Sequence, residues 1–234
     1  MSAAPCGGAC PVPAAPPSRG LRTVVWRAGT RLRRGHLRRY PDPNTLVPGT
    51  GDTRFAPFED TEHIYLAATS FAALLESAFH DAAPPRPQLP RALLAHWCEA
   101  AVTLAAPVRL IDLRDAELAR LGLAREHLVA TSAAHYPCTR RWVAQLHGRT
   151  VGGQPTHGLV WYSRQAELHA RAMDHRPALR DLLDYHPSEV AVLWSPPAPQ
   201  PLLTPTEAGL GPLDAEPGAD YVDDLIALLE IVSL

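Results

Sequence analysis

At 234 residues, with 46% apolar and 20% charged side chains and a formal net charge of -2, the chain suits one domain with tails, whose core can remove about 70% of the unfolded surface from water. No run of about 18 apolar residues exists, which excludes a membrane-spanning helix, and the start lacks the basic-then-apolar order of a secretory signal; a cytoplasmic protein is expected. All 22 basic residues are arginine, so every cation keeps its charge and offers a planar donor fork suited to phosphate.

Met1 to Gly20 is rich in Ala, Pro and Gly and reads as a disordered leader. Thr23 to Trp26 reads as the first strand, and Ile64 to Leu66 as another, with Tyr65 on the face opposite its neighbours. Phe71, Leu74, Leu75, Ala78 and Phe79 then follow the spacing of an amphipathic helix started by Thr69 or Ser70. Further helices are predicted over 91–104, 116–121, 139–146, 166–173 and 177–183, the last with proline in its first turn. Strands are predicted over 108–113, 158–162 and 190–194. Residues 195–219 form a Pro- and Gly-rich connector, and Asp220 caps a final helix from Tyr221 to Ile231. Strands mixed irregularly with helices make this an α+β protein. It divides into a leader (1–20), one domain (21–194) and a connector with an acidic terminal helix (195–234).

Eight arginines fall between Arg19 and Arg39 with no acid before Asp42, while ten acids and no arginine follow Arg180. A basic patch of this kind can bind nucleic acid, yet no aromatic residue is interleaved from Arg31 to Arg39 to stack on bases. No direct nucleic-acid binding is expected; the acidic end packs near the basic one, or both are solvated. Four cysteines, two of them in the leader, do not make a disulfide framework. His96, Cys98, His135 and Cys138 form a conceivable zinc set, but neither half has the Cys-x-x-Cys spacing of a strong site, and no metal is expected. Gly49-x-Gly51 lacks the third glycine of a dinucleotide fingerprint.

Glu76 lies at the border of the apolar stripe of its helix with no arginine three or four residues away. It reads either as an ordinary exposed acid or as a placed one. Ser163, ending an apolar strand, reads equally well as a helix N-cap.

The order of these segments carries more than any one of them. Val25-Trp26-Arg27 closes the first strand, Gly51 to Phe55 makes a Gly-x-x-Arg-aromatic turn at Arg54, and a Tyr65-Leu66-Ala67 strand precedes the Glu76 helix. Tyr162-Ser163 follows at a distance, after a helix that includes Thr139. This pattern, from about Leu21 to Trp194, resembles the RES family, named for one arginine, one glutamate and one serine; Arg27, Glu76 and Ser163 would be those three. The resemblance implies a single ADP-ribosyltransferase-like domain, a mixed central sheet flanked by helices, that consumes NAD as substrate with no separate cofactor. Such bacterial proteins usually act as the toxin of a toxin–antitoxin pair, so a cognate antitoxin is an implied partner. Under that reading Glu76 stabilises positive charge on the ribose as nicotinamide leaves. Arg27 and Arg54 grip the pyrophosphate, Ser163 bonds ribose or phosphate, and Tyr65 stacks on nicotinamide or donates to phosphate, against plain strand packing. The ADP-ribosyl acceptor is inorganic phosphate, water or a protein side chain; a catalytically inactive NAD- or partner-binding module is the alternative.

Overall fold

The structure is a computed structural model and describes residues 10–40, 42–48, 53–56, 58, 60–82, 88–173, 188–194, 201–206 and 209–234. Along the chain they form β1 (Thr23–Trp26), β2 (Arg31–Leu37), β3 (Val47–Pro48), β4 (Glu62–Ala67), α1 (Ser70–Leu75), β5 (Gln88–Leu89), a 3-10 helix (Arg91–His96), β6 (Trp97–Leu104) and β7 (Val108–Asp112). There follow α2 (Asp115–Arg120), α3 (Tyr136–Ala144), β8 (Thr150–Val151), β9 (Gln154–Pro155), β10 (Gly158–Tyr162), α4 (Arg164–Met173), β11 (Glu189–Trp194), β12 (Leu203–Pro205), β13 (Gly211–Pro212), α5 (Gly218–Leu229) and β14 (Val232–Ser233).

Ten strands build one mixed sheet in the order β1-β7-β10-β11-β4-β2-β6-β12, with β13 also on β6 and β3 on β4. The central strands β10, β11 and β4 are apolar on both faces, and their alternation sorts them into two cores. Leu159, Trp161, Val190, Val192, Trp194 and Ala67 point to one side, where Trp142 and Val143 of α3 and Leu118 of α2 cover them. Val160, Ala191, Leu193, Ile64 and Leu66 point to the other, together with Trp26 of β1 and Leu104 of β6. Five strands separate β1 from β6 in the sheet order, so Trp26 and Leu104 can share a cluster only because the sheet curls around it. A third cluster joins α1 to α5 through Phe71, Leu74, Leu75, Val222 and Leu225. All six residues of α1 are buried; burying each of Phe71, Leu74 and Leu75 contributes about 1.5–3 kcal/mol. That offsets the low intrinsic stability of so short a helix.

The α+β class is the one the segment order predicts, and the mixed sheet flanked by helices is the one the resemblance implies. Several elements differ. The span 91–104, expected as a helix, is a 3-10 turn followed by β6, which pairs with β2 on one side and β12 and β13 on the other. Two rows of backbone partners outweigh the helix preference of an Ala- and Leu-rich segment. The basic stretch 31–37, given no element in advance, is β2. The connector 195–219 contributes β12 and β13, and α5 begins at Gly218, so Asp220 lies inside the first turn instead of capping it. Within residues 10–20, part of the expected disordered leader, Val12 is buried in the α3-side core and the Ala14 carbonyl accepts from Gln145 Nε2 at 3.2 Å, while 18–20 are exposed. The helix predicted over 177–183 and the glycines Gly49 and Gly51 lie outside the described residues. Among the described residues no helix is long and apolar enough to cross a membrane.

The basic segment is not one surface. Along β2 the alternation buries Arg34, which donates to the Pro43 carbonyl at 2.7 Å, and turns Arg33 to the opposite face. Arg38 pairs with Asp214 at 2.5 Å, a contact between the basic and acidic ends of the chain.

Candidate functional site

α1 is started by Thr69, whose hydroxyl accepts from the Ala72 amide at 3.2 Å, and it stops at Leu75. Sequence periodicity places Glu76 inside a longer helix; instead Glu76 is the C-cap residue, with φ -91° and ψ 3°, in the bridge region where residues at turns and sites gather. Ser77 stabilises the stop by donating to the Ala73 carbonyl at 2.6 Å. Ending the helix here releases the Glu76 side chain from the helix surface toward the sheet.

There it meets Ser163. The serine is fully buried at the end of β10, and its hydroxyl donates to Glu76 Oε1 at 2.6 Å while accepting from the Ala166 amide at 3.0 Å, at the start of α4. The N-cap role and the site role coexist in one hydroxyl. Both of its contacts are internal, so Ser163 is a positioning residue that holds one carboxylate oxygen. Among the described residues the other oxygen, Oε2, has no hydrogen-bond partner. The sequence separation of 87 between the two is closed by β10 lying two strands from β4, the strand that leads into α1.

Glu76 opens on a cavity of about 300 Å³ whose walls include Arg54, Tyr65, Tyr136, Trp161 and Gly35. Arg54 donates from Nη1 to the Thr131 carbonyl and hydroxyl, both at 2.7 Å, and its guanidinium lies 5.0 Å from the centre of the Tyr136 ring. Thr139 Oγ1 donates to the Arg54 carbonyl, so the first turn of α3 grips this arginine at backbone and side chain alike. Its side-chain partners are neutral, and among the described residues no carboxylate forms an ion pair with it; its charge is left for a ligand. Tyr65 stands on the α3-side face of β4. Its hydroxyl accepts from the Phe55 amide at 3.1 Å and pairs with Thr53 Oγ1 at 2.8 Å. Burial pushes its pKa up to about 12, against hydrogen bonds that pull it down, so it is a neutral phenol. Its ring meets Trp161 edge-on with centroids 6.2 Å apart.

The structure thus gathers Glu76, Ser163, Arg54 and Tyr65, but not Arg27. That residue is exposed at the turn after β1, and its carbonyl closes the turn by accepting from the Thr30 amide at 3.1 Å. The cation beside Glu76 on the sheet is Arg33 of β2, which lines a recess of about 30 Å³ together with Glu76, Tyr65 and Ser77. Arg33 Nη1 also lies 3.7 Å from the buried carboxylate of Glu99. Sequence reasoning passed over Arg33 because its segment was not recognised as a strand. The available signal was the alternation of Leu32, Arg34 and His36 with Arg33, Gly35 and Leu37. Tyr136 was within the stretch singled out around Thr139, three residues before it on the same helical face.

The RES domain family model matches residues 24–201. A chain of the crystal structure of the M. tuberculosis MbcT–MbcA toxin–antitoxin complex superposes with a TM-score of 0.50 at 14% identity, over 86% of this chain and 90% of that one, a likeness of fold. No curated protein matches the sequence. The family match covers well over half of the sequence and includes every wall of the cavity: this chain belongs to the RES domain family.

Proposed function

We propose that the cavity binds NAD and that the protein cleaves its nicotinamide–ribose bond, with inorganic phosphate or water accepting the ADP-ribosyl group. The observation that carries this reading is the solitary Glu76 carboxylate, held at one oxygen by a buried serine and open at the other, facing an uncancelled guanidinium across an aromatic pocket. The cavity is at the small end for ligand sites. It would house the reacting nicotinamide–ribose end, against Tyr65 and Trp161, with the pyrophosphate at Arg54 and Arg33.

As the glycosidic C–N bond breaks, its electron pair leaves with nicotinamide, which departs as a neutral amine, and positive charge grows on the anomeric carbon. No general acid is required for that departure. A fixed carboxylate beside the ribose stabilises the developing cation without reorganising. The acceptor oxygen then bonds to the carbon; water would release its extra proton to solvent. A protein side chain as acceptor is the alternative, and would make the protein an ADP-ribosyltransferase. Loss of NAD in the cytoplasm would arrest growth, which fits a toxin restrained by a cognate antitoxin; the fold neighbour's complex with its partner supports that role by analogy only.

The test is nicotinamide release from NAD by the purified protein, with and without phosphate. Glu76→Gln keeps the shape and removes the charge; it should lower turnover on the order of 10²-fold or more, with an unchanged melting profile. Near-normal NAD loss in that variant, or no NAD loss and no calorimetric NAD binding by the wild type, rejects the reading.

A further inference from the structure

Three soft-metal donors converge beside the pocket wall. Cys10 comes from the segment before β1, and His135 and Cys138 from the start of α3; one ligand atom from each lies within 4.8 Å of the others. Of the His96, Cys98, His135 and Cys138 set conceivable from sequence, only the last two belong, and Cys10 takes the place of the first pair. Cys10 Sγ stands 3.7 Å from His135 Nδ1. In a tetrahedral zinc site, bonds of about 2.3 Å to sulfur and about 2.05 Å to nitrogen hold the two donors about 3.6 Å apart. The observed spacing, which as it stands is that of a hydrogen bond between thiol and imidazole, also accommodates one ion between the two donors.

The surroundings suit the charges such an ion needs. Cys138 lies in the first turn of α3 with the Arg141 guanidinium 3.5 Å from its sulfur. Two thiolates and a neutral imidazole balance a divalent cation, so the ion and its ligands together carry no net charge.

We propose that Cys10, His135 and Cys138 bind a zinc ion, its fourth position taken by water, that clamps the N-terminal segment onto α3. The ion would bear on the pocket through two neighbours of its ligands. Tyr136, which follows His135, stacks on Arg54, and Thr139, which follows Cys138, binds the Arg54 carbonyl. None of this depends on the NAD reading.

The experiment uses the full chain purified under reducing conditions with zinc supplied. Elemental analysis should give about one zinc per chain, lost in Cys10→Ser and Cys138→Ser and kept in Cys98→Ser. The cobalt-substituted wild type should show a thiolate-to-cobalt charge-transfer band, and chelation should lower the melting temperature. The wild-type cobalt spectrum stands even where a ligand variant fails to fold. Zinc content no higher in the wild type than in the Cys10→Ser, Cys138→Ser double variant overturns the proposal.

Discussion

Glu76 owes its chemistry to where its helix stops. A glutamate one turn further inside α1 would lie along the helix surface, whereas the C-cap position lets it reach across to Ser163 at 2.6 Å. The cation opposite is chosen in the same way, by backbone geometry and not by residue type, in a chain with 22 arginines. Arg33 sits on a strand face that shares a small recess with Glu76 and Tyr65, while Arg27 sits on an exposed turn. A guanidinium bonded to phosphate contributes about 1.5–3 kcal/mol as a charged hydrogen bond, so Arg33→Ala should weaken NAD binding on the order of 10-fold or more. Arg33→Lys, which keeps the charge but loses the fork, should recover part of that loss, and Arg27→Ala should bind within about twofold of the wild type, as an exposed substitution. Calorimetric titration with NAD distinguishes the two; the reverse ranking would return the role to Arg27. The sequence pattern singled out Glu76, Arg54, Tyr65 and Ser163, which the fold brings together: Glu76 and Ser163 stand at the ends of elements, Arg54 lies before β4 and Tyr65 within it. It missed Arg33 because nothing local separates one arginine of Arg31 to Arg39 from the next until the strand is known.

The site depends on β2 and the end of α1 passing closer than side chains allow. At Gly35 an added Cβ would collide with Ser77 Oγ, stand 2.9 Å from Ser77 Cβ and 3.2 Å from the Ala73 carbonyl oxygen. Those are the atoms that close the helix just after Glu76. Gly35→Ala should therefore destabilise by about 1–3 kcal/mol, the usual range for overpacking, and move the carboxylate. Denaturant unfolding should show the first effect and nicotinamide release the second; a variant with wild-type stability and turnover would mean that the approach is loose. This contact was not legible in advance, since a glycine in an unassigned basic stretch carries no sign of what crosses it. The central strands were legible because their apolar character on both faces has no other use, and α1 because its stripe repeats at helical spacing. β6 was misread for a physical reason: Leu93, Leu94 and Trp97 imitate helical spacing, and only the presence of β2, β12 and β13 on either side makes an extended form the better one.

Four histidines distributed through the fold set how the molecule responds to acid. His36 on β2, His63 on β4, His157 before β10 and His169 on α4 all have pKa values held below the ordinary histidine value, burial being the largest cause in each. Arg34 adds to the depression at His36 and His63 through its positive charge. In the unfolded chain each would titrate near 6.5, so between that value and the lower folded one the unfolded state binds more protons, and stability must fall as pH falls. Their contribution is fully present above the unfolded value and is lost progressively below it. The carboxylates act later. Asp42 is held below its usual range first by the Thr45 hydroxyl, and at Asp112 burial pushes up but the Arg114 guanidinium outweighs it. Stability from those groups is lost only near and below the ordinary Asp value of about 3.9. The urea midpoint should therefore drop between pH 7.5 and pH 5.5, before Asp42 or Asp112 is protonated, and His63→Gln should flatten that slope. A midpoint constant across this interval would show that the histidines titrate alike in the folded and unfolded chain, and that their burial costs the charged form nothing.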